Sequence, residues 1–499
     1  MEQLQIGRLI LSSRNIHKIS GQLARQCSIL SCKHPNILIN TSKQFSTSDR
    51  YILTDIQTKK IIDDYGPVND PNNDYNNDYN SDLNIFSRLY TLGWTSNGKF
   101  YSNLKALNFS YDIHQAHRQK YVRPVITIDP DSSTDLDDGF SIEINGDEIN
   151  LDIHIADPTS YFDFENPNTL IILKEISKRF STCYIPLEGK IKHLIPESEK
   201  FNLLKHCTLI GSFKRALTFS FSINTLNNQI NFQIKPTVLE KIINYSYDSY
   251  DLLVNSDVEY KKKLVLTCNL LIKHMGCNLN LIDETTDISH KMIETFMITT
   301  NYFTGNYLRK NKNKMCVRIQ EKNVHDELLP KNISQLKSLG AKYLYVDNDS
   351  TEKYYHSSLQ IENYCQVTSP MRRFTDMINH FILYRNNFDL IKQFIEISSI
   401  NKTAKKYKRI SNAYDLVIML KTTNKFTAFV LDVCNSDKML LTIHNSDFTF
   451  KKIIKCKIPV EYVDLIKKYD KYNVEVYYEP EKFSSNIFPF FVKLLDKIE

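Results

Sequence analysis

The chain has 499 residues, of which 42% are hydrophobic and 24% are charged, a composition typical of a globular protein with two or three domains. No apolar run approaches the ~20 residues of a membrane span, and the net charge of +6 is too small to identify a polyanionic partner by itself. The ten cysteines lack metal-ligand spacing, so we expect free thiols, a reducing, cytoplasmic location and no membrane association.

Residues 1–63 are expected to form a small, degenerate β-barrel. Short apolar runs such as GRLILSS and NILIN alternate with Gly, Pro and Asn, which is the pattern of strands and turns. The first 48 residues contain several basic side chains but only one acidic residue, Glu2. An organelle-targeting leader at this end is therefore the alternative. Residues 64–84 are rich in Asn and Asp and predict a solvated linker.

Residues 85–415 are expected to form the main domain, of the α+β class. Alternating runs such as FSIEING and INLDIHIAD, joined by the turn sequence NGDE, predict a twisted antiparallel sheet. The segments VEYKKKLVLTCNLLIKHMG and ISHKMIETFMITTNYFTGNYLRK repeat apolar residues at three and four positions and predict helices. Strands that precede helices favour an α+β core. Residues 416–499 contain the strand patterns FTAFVLDV, MLLTIHN and NVEVYYEP, which predict an OB-like barrel.

The motif DPDSSTDLDDGF places four carboxylates within ten residues: Asp129, Asp135, Asp137 and Asp138. Carboxylates at this density repel one another unless a cation is present, and hard oxygen ligands suit Mg²⁺ or Mn²⁺. A solvated acidic turn is one alternative and a calcium loop is another. An EF-hand needs Gly at its sixth position and Glu at its twelfth, where this loop has Thr134 and Phe140. The apolar flanks VITID and GFSIEI favour a buried metal site.

A second motif, YCQVTSPMRRFTDMINH, places Ser369 and Pro370 before a predicted helix that carries Arg372 and Arg373 in its first turn. Guanidinium groups beside the N-terminus of a helix bind phosphate well, because bidentate donors and backbone N–H groups act together. A surface arginine pair without a ligand is the alternative.

Together the two motifs resemble the catalytic domain of the ribonuclease II and ribonuclease R family, known as RNB, from about residue 120 to about residue 385. The segments LDIHIADPTSYF, RFSTCYIP, CTLIGSFKRALTFS and MIETFMITTN occur between them in the family's order. The resemblance implies a central RNB-type domain flanked by small OB-like barrels, the first cold-shock-like and the second binding RNA. It also implies a Mg²⁺-dependent 3′-to-5′ exoribonuclease that converts single-stranded RNA to nucleoside 5′-monophosphates.

Carried over by residue, the resemblance assigns the metal site to the four aspartates, with Asp137 the most critical for turnover. Arg372 would neutralise the scissile phosphate. Tyr184 would stack on the terminal base, Glu294 would lie near a ribose 2′-hydroxyl, and Arg373 would assist RNA binding. The alternative for Tyr184 is a tyrosine packed in a sheet, and the alternative for Glu294 is an ordinary exposed acid on a helix.

Two other functions stay open on sequence alone. One is a catalytically silent RNA-binding scaffold of the same fold, which we would expect to lack an aspartate of the cluster or Arg372; none is missing here. The other is a phosphodiesterase that acts on DNA or a small nucleotide. Protein partners are not indicated by any motif.

Overall fold

The computed structural model describes residues 108–187, 190–195, 202–321, 341–347, 352–384, 401, 404, 413–433, 438–445, 451–458, 462, 465–478 and 490–498. The predicted N-terminal barrel and the Asn-rich linker lie outside these residues. The chain divides into two compact units. The larger unit comprises Leu92–Thr182 and His193–Arg409, and the smaller unit comprises Met1–Thr91, Cys183–Lys192 and Ile410–Glu499. The domain boundaries drawn from the sequence stay predictions.

A seven-stranded sheet forms the centre of the larger unit. Its strands are β1 (Gln119–Tyr121), β2 (Val125–Asp129), β3 (Asp138–Asn145), β4 (Glu148–Ala156), β7 (Lys214–Asn224), β8 (Gln229–Leu239) and β9 (Ile242–Ser246). The spatial order is β1-β8-β7-β4-β3-β2-β9. The inner pairs are antiparallel as predicted, but β1–β8 and β2–β9 are parallel, so the sheet is mixed. Alternation identifies strands, whereas the direction of pairing depends on contacts distant in sequence.

The predicted turn between β3 and β4 is present. Its two residues are Gly146 and Asp147, and Gly146 has φ of +59°, in the left-handed region that glycine adopts without steric cost. Beyond the turn, every residue of β4 from Leu151 to Ala156 is buried, so both faces of this part of the strand are covered.

Among the described residues of the larger unit, six helices accompany the sheet: α1 (Pro167–Arg179), α2 (Leu203–Cys207), α3 (Tyr247–Ser256), α4 (Val258–Met275), α5 (Ser289–Asn311) and α6 (Phe374–Tyr384). The two helices predicted from periodicity are α4 and α5, and the α+β class is confirmed. Short strand pairs complete the unit: β10 (Lys314–Ile319) with β11 (Lys342–Asp347), and β12 (Tyr355–His356) with β13 (Ile361–Glu362). Within the described part of the chain, no helix has the length and apolarity that crossing a bilayer requires.

Close packing of α5 fixes the segment that precedes the arginine motif. A Cβ atom on Gly305 would lie 1.7 Å from the carbonyl oxygen of Asn363, so α5 can approach this segment only at a glycine. Asn301 accepts a hydrogen bond from the backbone N–H of Val367 at 2.8 Å. On α6, Asn379 donates to the backbone carbonyl of Gln366 at 2.8 Å. Two buried amides and one glycine therefore set the path of residues 363–367.

The smaller unit contains a five-stranded antiparallel sheet. Its strands are β14 (Lys425–Val433), β15 (Lys438–His444), β16 (Lys451–Lys457), β17 (Lys471–Tyr478) and β18 (Phe490–Ile498), in the order β16-β15-β14-β17-β18. A separate hairpin of this unit pairs β5 (Cys183–Leu187) with β6 (Lys190–Lys192). The predicted strands are present, but the pairings among the described residues do not establish a closed barrel. The OB-like barrels are therefore not confirmed.

Candidate active site

The aspartate motif folds as a loop, residues 130–137, between the end of β2 and the start of β3. Asp129 is the last residue of β2 and Asp138 is the first of β3. A Cβ atom on Gly139 would lie 2.9 Å from Cγ1 of Val125, so glycine lets these strands meet closely. Leu136, only 5% exposed, anchors the loop in the core. The strand ends thus hold Asp129 and Asp138 together while the loop brings Asp135 and Asp137 to the same place.

Burial dominates the electrostatics of this cluster. It raises the pKa of Asp129 to about 7, with further contributions from the negative charges of Asp138 and Asp135. Burial likewise raises the pKa of Asp138 to about 6 and the pKa of Asp137 well above its usual range, although the charge of Arg372 opposes both effects. The carboxylates therefore cannot all ionise at neutral pH without an added positive charge.

Asp137 joins the two motifs, which lie 234 residues apart in the chain. Its Oδ1 accepts a hydrogen bond from the backbone N–H of Met371 at 2.8 Å, and its Oδ2 lies 3.5 Å from Nε of Arg372. The side chain of Asp137 is 2% exposed, whereas that of Arg372 is 41% exposed. The buried carboxylate thus lies beside a guanidinium that is partly open to solvent.

Arg373 has a different environment from its neighbour. Its Nη2 lies 2.8 Å from Oδ2 of Asp376, which also accepts a hydrogen bond from the backbone N–H of Ser369 at 2.8 Å. Burial alone would lower the pKa of Arg373, but the charge and hydrogen bond of Asp376, together with Tyr343 and Tyr364, outweigh this effect and raise it. This ion pair stabilises the turn that carries Arg372. The predicted contact of Arg373 with RNA stays a prediction.

Several oxygens of the cluster are suited to a cation. Oδ2 of Asp129, of Asp135 and of Asp137 are buried and have no hydrogen-bond partner among the described residues. His193, which the sequence did not single out, lies with Nδ1 3.5 Å from Oδ2 of Asp135. However, no three His, Cys, Asp or Glu side chains of the described ranges form a group that could hold a metal by themselves. This donor set fits an open magnesium site, in which water and substrate phosphates complete the coordination.

Two other residues predicted from the sequence lie on other elements of the fold. Glu294 is exposed on α5, where its charge helps to raise the pKa of the Cys277 thiol, an effect due mainly to burial. Tyr184 is 48% exposed on β5, in the smaller unit. Their predicted contacts with RNA stay predictions.

Sequence reasoning missed the groups that hold the motif residues in place. Asp376 could have been found, because an acid three residues after Arg373 on a helix is in reach of an ion pair. The N–H of Met371 and the side chain of His193 carry no sequence signal, since their roles depend on which loops meet in the fold.

The fold and the site together define an α+β domain in which a buried acidic loop faces an arginine-bearing turn. The sequence model of the RNB domain family matches residues 118–388, which is more than half of the chain. The chain therefore belongs to this family. The predicted family membership is confirmed.

Curated relatives include a mitochondrial exoribonuclease II of Saccharomyces cerevisiae, 22% identical over 66% of this chain and 43% of the relative. Ribonuclease R of Chlamydia pneumoniae is 24% identical over 62% of this chain and 54% of its own length. This chain spans about half the length of the curated relatives it matches.

Solved structures agree on the fold. Ribonuclease R of Mycoplasma genitalium, in complex with ribose-methylated single-stranded RNA, has a TM-score of 0.60 at 16% identity, over 83% of this chain and 78% of that one. An exoribonuclease active-site mutant from Candida glabrata has a TM-score of 0.55 at 18% identity, over 76% of this chain and 58% of that one.

Proposed function

We propose that this chain is a Mg²⁺-dependent 3′-to-5′ exoribonuclease that degrades single-stranded RNA to nucleoside 5′-monophosphates, and that Mn²⁺ can replace Mg²⁺. The observation that carries the proposal is the contact of buried Asp137 with both Met371 and Arg372. It brings a carboxylate cluster and an exposed guanidinium into one place, as phosphodiester hydrolysis requires. The names of the curated relatives, exoribonuclease II and ribonuclease R, support the same activity.

The residues of the site have distinct roles in this proposal. Asp129, Asp135, Asp137 and Asp138 hold magnesium, which when bound supplies Lewis-acid polarisation of the scissile phosphate. Arg372 binds a non-bridging phosphate oxygen through the edge of its guanidinium that faces solvent, while Asp137 fixes its orientation. Because Arg372 is held in place before substrate binds, its charge stabilises the transition state at little cost in reorganisation. We expect this contribution to be ~3 to 4 kcal/mol, the usual effect of one preorganised donor.

Contacts with RNA outside the catalytic site belong to the proposed function as well. Tyr184 stacks on a base, Glu294 accepts a hydrogen bond from a ribose 2′-hydroxyl, and the β-sheet of residues 425–498 adds a further RNA-binding surface. The Mycoplasma genitalium structure, described as a complex with single-stranded RNA, supports RNA as the partner.

A digestion experiment tests the activity and the site together. The purified chain is incubated with a 5′-labelled single-stranded RNA and Mg²⁺, beside Asp137→Asn and the matched control Asp131→Asn, whose carboxylate is exposed in the same loop. We expect stepwise 3′ shortening with release of 5′-monophosphates, lost with EDTA and in Asp137→Asn but retained in Asp131→Asn.

Other outcomes would contradict the proposal. Intact RNA with tight, salt-sensitive binding would instead support the RNA-binding scaffold. Equal cleavage of a DNA oligomer of the same sequence would instead support a phosphodiesterase without preference for RNA.

We also propose a cytoplasmic location. The yeast relative is named as mitochondrial, so import into an organelle is the alternative outcome. Microscopy of the full chain with a C-terminal fluorescent tag distinguishes the two.

A further inference from the structure

The loop between α2 and β7, residues 208–213, exposes a large aromatic side chain. Phe213 is 68% exposed and Ile210 is 43% exposed. The backbone of Phe213 has φ of +54°, in the left-handed region, where a bulky side chain is strained. An exposed phenylalanine in a strained conformation has no explanation in core packing, and strain of this kind concentrates at functional sites.

Hydrogen bonds tie this loop to the aspartate loop. The backbone N–H of Leu209 donates to the carbonyl of Leu136 at 3.0 Å, and the N–H of Leu136 donates to Oγ1 of Thr208 at 3.0 Å. Asn244 adds a bond from its side chain to the carbonyl of Leu209 at 2.9 Å. The Cα atoms of Leu209 and Phe213 can be no more than ~14 Å apart, the span of four extended residues. Phe213 therefore belongs to a loop that is hydrogen-bonded to the aspartate loop of the candidate active site.

Basic residues lie beside Phe213 in the chain and in the contacts of Lys214. Nζ of Lys214 donates to the carbonyl of Lys205 at 2.7 Å, so this interaction leaves its charge without a neutralising carboxylate. Lys205 is exposed. The pKa of His206 is lowered by partial burial and then by the charges of Lys214, Arg215 and Lys205. An exposed ring among cations provides the two interactions that hold single-stranded nucleic acid, which are base stacking and attraction of phosphates.

We propose that Phe213, flanked by Lys205 and Lys214, is a stacking platform for a base of the single-stranded RNA substrate. The inference rests on the proposed function and adds a subsite to it. Single-stranded RNA is the occupant that the charges favour, because the lysines attract phosphates and the loop that carries Phe213 is hydrogen-bonded to the aspartate loop at Thr208 and Leu209.

The test measures RNA binding rather than hydrolysis. Fluorescence anisotropy of a labelled single-stranded RNA is recorded with the full chain in the Asp137→Asn background, so that the RNA is not consumed. We expect Phe213→Ala and Phe213→Gly to weaken binding roughly 5- to 100-fold, as loss of one stacked base does, and Phe213→Trp to restore it. The matched control is Leu226→Ala, since Leu226 is 76% exposed at the opposite end of β7, and it should bind like the parent.

Phe213→Gly keeps the test independent of folding. Glycine adopts the left-handed conformation without strain, so this variant should unfold at the same temperature as the parent or higher while its affinity for RNA falls. Parent-like binding by both Phe213→Ala and Phe213→Gly would overturn the platform and leave the proposed function standing. Failure of the Asp137→Asn parent itself to bind RNA would overturn the proposed function and, with it, the platform.

Discussion

Replacing Asp129 with asparagine should stabilise the metal-free protein while it removes activity. Burial and the neighbouring charges of Asp138 and Asp135 raise the pKa of Asp129 from 3.8 to about 7. Each pKa unit corresponds to ~1.4 kcal/mol, so ionising this carboxyl in the folded state costs at most ~4 kcal/mol. Because the side chain is partly exposed and Asp138 shares the repulsion, we expect Asp129→Asn to raise the free energy of unfolding by ~1 to 3 kcal/mol at pH 8.

The sign of the pH dependence follows from this raised pKa. Below about pH 4, Asp129 is protonated in both the folded and the unfolded chain, so its ionisation costs nothing. As pH rises from about 4 to about 7, only the unfolded chain releases the proton, and the free energy of unfolding falls. The gain of Asp129→Asn over wild type should therefore be small at pH 4.5 and should reach its full value by pH 8.

Urea unfolding in EDTA at several pH values measures this difference. Comparison with wild type is essential because burial lowers the pKa of His154 to about 3, which makes stability rise with pH and opposes the effect of Asp129. Asp131→Asn should show no gain. Mg²⁺ should stabilise wild type at pH 8 more than Asp129→Asn, since ligand binding to the folded state adds to its stability. A variant no more stable than wild type at pH 8 in EDTA would refute the reasoning.

Three further changes probe the arginine turn and its support. Asp376→Ala should lower the free energy of urea unfolding by ~3 to 5 kcal/mol, because it removes the fully buried carboxylate that pairs with Arg373, whose side chain is 21% exposed. A loss below ~1 kcal/mol would contradict the importance of this ion pair. Gly305→Ala should lower the free energy of unfolding by more than ~2 kcal/mol through overpacking. Glu294→Ala, on the exposed face of the same helix, should leave it nearly unchanged. Similar effects of the two substitutions would contradict the close approach of α5 to Asn363. Arg372→Lys should lower kcat ~100-fold or more with unchanged thermal stability, and parent-like kcat would exclude Arg372 from transition-state stabilisation.

The sequence determined much of the fold because local patterns report local structure. Alternation and a Gly-Asp turn identified β3 and β4, and apolar periodicity identified α4 and α5. The parallel edge pairs β1–β8 and β2–β9 were not predicted, since nothing in a strand's own residues specifies a partner about 120 residues away. Closure of the C-terminal strands into a barrel was predicted from their strand patterns and is not confirmed, because strand patterns do not specify closure.

For the candidate site, the sequence by itself identified the residue types and the family, since an aspartate-rich loop and an arginine pair each carry a chemical signature. Tertiary structure decided how these residues differ from one another. It exposed Arg372 toward solvent and paired Arg373 with Asp376, although the two arginines are adjacent. It also raised the pKa of Asp129 and left Oδ2 of Asp129, of Asp135 and of Asp137 without a hydrogen-bond partner among the described residues. Burial and long-range contacts set these properties, and both arise only when segments far apart in the chain pack together.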